Sequence, residues 1–130
     1  MPTGGCHCGA IRYSAQGDPA YSALCHCSDC RKSAGAPMVG WTLFPAGQVT
    51  IEGKTVTYRS SENATRHFCG HCGTGLFYTN DVIFPGMIDV QAGTLDDPEA
   101  YPPTARIQMA EAAHWMENIS DLPKFERYPG

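Results

Sequence analysis

Seven cysteines fall at positions 6, 8, 25, 27, 30, 69 and 72, in three tight groups. No other feature limits the possible folds as strongly. An odd count cannot close into a complete disulfide framework. Cysteines one or two residues apart also make poor partners for each other, because the ring they would close is small and strained. A lone buried cysteine behaves as a small hydrophobe, but seven in three clusters exceed that role. The first residues, Met1-Pro2-Thr3-Gly4-Gly5-Cys6, lack the basic start and apolar run of a secretory signal. A reducing, cytoplasmic setting is therefore expected, in which thiols stay free to bind metal.

Thiolate sulfur suits Zn²⁺, which prefers four ligands in a tetrahedron. Cys69-Gly70-His71-Cys72-Gly73 is a Cys-x-x-Cys turn able to put two sulfurs on one side of an ion, with glycines where a tight knuckle needs unusual dihedrals. Cys6 and Cys8 are the natural second half of that site. Cys25, Cys27 and Cys30 place three sulfurs within six residues. Four ligands make a closed structural site, and three leave a position for substrate. Spacing favours this four-plus-three division, although Cys25 and Cys27 could instead join Cys69 and Cys72.

His7, His26 and His71 each adjoin ligand cysteines, and such neighbours usually point away from the ion. His67 and His114 have freer geometry, and either could supply a fourth ligand to the three-cysteine group. Thiolate-rich sites also need N–H donors or cations nearby. Arg31 and Lys32, which follow Cys30 directly, are candidates for that role or for binding substrate carboxylates.

The remaining sequence reads as all-β in one domain spanning residues 1–130. Short runs rich in Val, Ile, Thr and aromatics predict strands at 11–13, 20–25, 39–44, 49–52, 56–59, 66–68, 76–78, 82–84, 87–90 and 114–116. Gly47 and Gly53-Lys54 are expected hairpin turns. A helix of about two turns is predicted over Ser28 to Ala34, capped by Ser28 and stopped at Gly35-Ala36-Pro37. Asp96 to Ala100 suggests a further short turn. No stretch approaches the roughly 20 apolar residues of a membrane span. The net charge of −4 comes with scattered cations and no basic stripe, so neither a membrane nor nucleic acid is an expected partner.

Taken together, these groups and their flanks resemble the glutathione-dependent formaldehyde-activating enzymes, a family that includes centromere-protein-V-like domains. The matching stretches are Gly4 to Ala10, Cys25 to Gly35, Phe68 to Leu76, Ala92 to Pro98, and His114-Trp115. The resemblance implies a β-tent fold holding two zinc ions. It assigns Cys6, Cys8, Cys69 and Cys72 to a structural zinc, and Cys25, Cys27 and Cys30 to a catalytic one. It also implies a carbon–sulfur lyase that forms S-hydroxymethylglutathione from glutathione and formaldehyde. His26, Ser28 and Asp29 are then candidate donors or proton shuttles. Arg31, Lys32, Arg59 and Arg66 are candidate partners for glutathione carboxylates.

Two other roles compete with catalysis. A purely structural zinc module would close the second site with a protein ligand such as His67 or His114. A metal-handling or redox-sensing protein would oxidise Cys25, Cys27 and Cys30 reversibly and release the ion.

Overall fold

A computed structural model describes residues 1–130. The β-branched and aromatic runs form ten short strands: β1 (Thr3–Gly5), β2 (Arg12–Ala15), β3 (Tyr21–Cys25), β4 (Val39–Pro45), β5 (Val49–Glu52), β6 (Val56–Arg59), β7 (Ala64–Phe68), β8 (Gly75–Asn80), β9 (Met87–Gln91) and β10 (Ala105–Ile107). One α-helix, α1 (Ser28–Ala34), follows β3. The strands make two sheets, one in the order β1-β2-β5 and the other in the order β10-β3-β4-β9-β8-β7-β6. All pairings are antiparallel except β10 on β3.

Alternation along the strands decides which side chains meet. From the large sheet, Phe44, Leu76, Phe77, Ile88 and Val90 pack in the principal core with Tyr13 and Ala15 of the small sheet and with Ile11 just before β2. Cys6 and Cys69 belong to that core as well. Tyr13 meets Phe77 edge-on with ring centroids 5.3 Å apart. Its hydroxyl donates to Thr94 Oγ1 at 2.7 Å, since the Thr94 proton is committed to the Gln91 carbonyl. A second buried cluster, Cys25, Cys30, Val39 and Trp41, is separate from the first. The two cysteine groups thus sit in different packing environments.

Several expected elements differ from those observed. Residues 82–84 form a turn after β8 rather than a strand, because Asn80 Oδ1 accepts the N–H groups of Val82 and Ile83 and folds the chain back. Residues 114–116 open a 3₁₀ stretch, His114–Asp121, that buries Met116 and pairs with no strand. The turns at Gly47 and Gly53-Lys54 are not hairpins, since β5 pairs with β2 rather than with β4 or β6. Ser28 is the first residue of α1, not its cap. Cys27 is the cap, its sulfur accepting the Cys30 N–H at 3.2 Å. The stop at Gly35 is as expected, in left-handed conformation with φ 66°. Asp96 to Ala100 is a non-helical turn. Its Asp97 side chain accepts the Glu99 N–H, and its Asp97 carbonyl accepts that of Ala100.

Candidate functional site

Cys6 and Cys8 lie at and just beyond the end of β1, while Cys69 and Cys72 form the knuckle between β7 and β8. The fold brings their four sulfurs within 4.8 Å of one another. The Cys6–Cys8 and Cys8–Cys69 separations are 3.6 and 3.8 Å. A tetrahedron of sulfurs about 2.3 Å from its centre has edges of about 3.8 Å, so this donor set fits a zinc ion. Backbone N–H groups already point at the sulfurs: Ile11 at Cys6, and His71 and Cys72 at Cys69.

The knuckle uses its glycines in two ways. Gly73 takes φ +84°, which side-chain-bearing residues disfavour, whereas at Gly70 the constraint is space, since a Cβ would lie 2.6 Å from Val56 Cγ2. Crowded thiols share protons unequally. The Thr74 hydroxyl, then backbone N–H groups, pull Cys72 down to about 5. At Cys8 a hydrogen bond from Ala10 N–H pulls the other way, but burial and the neighbouring sulfurs push the thiol up to about 11. A divalent cation among the four would relieve that conflict.

Cys25 ends β3, Cys27 caps α1 and Cys30 lies in its first turn, so one strand-to-helix bend presents all three sulfurs together. They too lie within 4.8 Å of one another, and no histidine or carboxylate joins the group. Burial pushes the Cys25 thiol up to about 12. Burial also raises Cys30, against the opposing pull of Arg66. This is a costly place for negative sulfur unless a cation is present.

One such cation is built in. Arg66 of β7 is buried, donates to Asp29 Oδ2 at 2.7 Å, approaches the Cys30 sulfur at 3.6 Å and lies 4.7 Å over the Tyr78 ring. Arg66 therefore does what was expected of Arg31 and Lys32. The neighbours of Cys30 in sequence point elsewhere on the helix, and β7 delivers the charge across the sheet.

Two cavities meet at the Arg66–Asp29 pair. A chamber of about 310 Å³ is lined by Cys25, Cys27 and Cys30 and by apolar side chains from four strands and the turn after β8. Asp89 also lines it, and burial pushes that carboxyl up to about 7. On the other side a polar cleft of about 650 Å³ includes Lys32, Ser33, Tyr58 and His67.

The profile of the family described as glutathione-dependent formaldehyde-activating enzyme matches residues 1–111, which hold both cysteine groups. The chain belongs to this family. Two relatives are each 28% identical to it. One, an uncharacterised lyase of Schizosaccharomyces pombe, aligns over 89% of this chain and 95% of its own length. The other, from Halomonas elongata, provisionally carries the family's enzymatic name and aligns over 88% of this chain and 78% of its own. The same fold also appears in a crystal structure of a Rhodobacter sphaeroides protein. The match has a TM-score of 0.63 and 22% identity, covering 80% of this chain and 98% of the other.

Within this family framework the remaining candidates separate clearly. His7 and His71 are exposed. His26 is fully buried, and its Nε2 accepts from Arg106 Nε at 3.2 Å. His67 lines the polar cleft beside Thr55, and His114 is exposed at the start of its 3₁₀ stretch, so neither completes the three-cysteine group. Ser28 is held by Glu111 and Asp29 by Arg66. The Arg59 guanidinium donates to the Glu62 carbonyl and lies outside the cleft. Sequence reasoning missed Asp89. Its signal was an acidic residue alternating with the apolar Ile88 and Val90 in a strand.

Proposed function

We propose that this chain is a zinc-dependent carbon–sulfur lyase that makes and breaks a thiol–aldehyde adduct, glutathione and formaldehyde being the pair in the family's name. The observation that carries this reading is the three-sulfur cluster with no fourth protein ligand, opening on a closed-in chamber. In this reading Cys6, Cys8, Cys69 and Cys72 hold a structural zinc, and Cys25, Cys27 and Cys30 hold a catalytic one. When bound by the three cysteines, zinc would supply a positive centre that lowers the pKa of a substrate thiol. No helix is long and apolar enough to cross a membrane. Seven free thiols suit a reducing compartment, and the cytoplasm is the proposed one.

The chain's own residues supply the rest. The polar cleft, with Lys32 on its wall, takes the charged body of the thiol. Arg66 keeps Cys30 and Asp29 in place and offsets the negative charge of the sulfurs. In the forward direction the thiolate's electron pair forms the carbon–sulfur bond, and the carbonyl π pair moves to oxygen. Asp89 gives that oxygen its proton and regains from solvent the one the thiol lost, a role suited to a carboxyl that burial raises to about 7, where both of its forms are populated at neutrality. In reverse, Asp89 takes the hydroxyl proton, the carbonyl re-forms and the bond pair leaves with sulfur.

The test is exchange spectroscopy on the zinc-loaded protein with glutathione and an aldehyde. The expected result is faster formation and breakdown of the adduct than in buffer. Cys27→Ser should lower the rate at least 100-fold while the circular-dichroism spectrum is kept. No acceleration with any aldehyde would sink the reading.

A further inference from the structure

We propose that the aldehyde half of the substrate is hydrophobic, an alkyl or aryl aldehyde seated in the chamber beside Cys25, Cys27 and Cys30. This rests on the lyase reading above and names the substrate class it left open.

The strand register builds the chamber floor. Tyr21 of β3 opposes Leu43 of β4, Leu43 opposes Asp89 of β9, Asp89 opposes Tyr78 of β8, and Tyr78 opposes Arg66 of β7. Cross-strand partners share a face, so this is one continuous row across five strands. Two residues along, Ala23 opposes Trp41 on the same face, and beyond them Cys25 opposes Val39. Ile107 of β10 flanks Cys25 on the far side. The surface leading away from the sulfurs is thus an apolar plain. Its charged groups are Arg66 and Asp29, paired with each other at 2.7 Å, and Asp89, whose carboxyl burial raises to about 7.

Size gives the second argument. The cavity, about 310 Å³, lies at the lower end of the range for small-molecule sites, roughly 300–1,000 Å³. A one-carbon aldehyde has two heavy atoms and displaces little more than a water, which takes about 30 Å³. Most of the chamber would then hold water against Trp41, Leu43, Phe84 and Ile107, an unfavourable arrangement that an alkyl chain or aromatic ring removes.

The rim gives the third. Ile83 lines the chamber yet is 73% exposed, on the turn that Asn80 folds over the end of the sheet. A hydrophobic occupant would cover it. Each methylene buried should tighten binding about fourfold.

Two measurements test the proposal. In the first, the zinc-loaded protein is given glutathione with formaldehyde, hexanal or phenylacetaldehyde, each rate being divided by its uncatalysed rate. The larger aldehydes should be accelerated at least tenfold more than formaldehyde, and Ile83→Asp should erode that advantage without changing the melting temperature. In the second, calorimetry compares S-benzylglutathione with S-methylglutathione, which should bind at least tenfold more weakly. Formaldehyde accelerated as much as the larger aldehydes, or equal or absent binding of the two analogues, would overturn the proposal. Failure of the lyase reading looks different. No aldehyde would then be accelerated, and the calorimetric ratio would still judge the chamber.

Discussion

Asp89 shows how a single residue can be costly to the fold and useful to the chemistry. Its carboxyl is raised from 3.8 to about 7 by burial. A carboxyl whose folded pKa exceeds its unfolded value binds its proton more tightly in the native state. Its presence therefore costs nothing below about pH 4, and it becomes increasingly destabilising as pH rises towards 7. Asp89→Asn should then raise the melting temperature at pH 8, by roughly 2 kcal/mol of stability, and leave it unchanged at pH 3.5. The same variant should lose most lyase activity at both ends of the profile. A stability gain equal at both pH values would show that the carboxyl is not held protonated by burial. Asp89 was hard to read from the sequence because its neighbours Ile88 and Val90 explain the strand by themselves. Only the sheet's second buried face makes the odd position informative. Arg66 was likewise seen as a cation but not as the partner of Cys30, because a contact spanning 36 residues depends on register. The cysteines were legible for the opposite reason. Each half-site is local, so spacing alone brings its sulfurs near one another.

At the scale of elements, the runs of β-branched and aromatic residues placed most strands, because sheet stability follows side chains that fit a pleated, half-buried surface. What escaped were strands too short to carry a pattern. β1 is only Thr3–Gly5, and β10, Ala105–Ile107, pairs in parallel with a strand 82 residues earlier. The apolar run at 82–84 misled because the Asn80 side chain, not hydrophobicity, sets the backbone there. The knuckle between β7 and β8 joins element to site. Gly70 abuts Val56 of the edge strand β6, so an added methyl must push that side chain aside. Gly70→Ala should cost about 1–3 kcal/mol as an overpacking change. The double variant Gly70→Ala/Val56→Ala should recover most of it in thermal melts, since the obstructing atom is then gone. Gly73→Ala has no such rescue, because its strain lies in the backbone at φ +84°. If Val56→Ala fails to rescue Gly70→Ala, close packing of the knuckle on the edge strand is not what excludes a side chain.

For the whole molecule, the decisive asymmetry is where each sulfur cluster is embedded. Cys6 and Cys69 are part of the principal core, packed with the residues that join the two sheets. Cys8 and Cys72 complete that site from exposed positions, so losing its ion would leave four crowded sulfurs anchored on the main packing interface with their protons shared unequally. Cys25 and Cys30 instead belong to a smaller cluster that opens on the chamber, with Arg66 already supplying positive charge. A chelator reaches an ion at this second site through the cavity, and Arg66 stays beside Cys30 when the ion leaves, while the principal core is untouched. A graded chelator titration of the zinc-loaded protein should therefore proceed in two stages. About half of the metal should leave with the near-ultraviolet spectrum of the core intact, and the rest should leave together with cooperative unfolding. Cys72→Ser should merge the stages by weakening the core-anchored four-cysteine site, whereas Cys27→Ser should remove the first stage and leave the second unchanged. Release of all metal in one step coincident with unfolding would mean that both clusters support the core alike. The physical distinction between a closed site and an open one would then be lost.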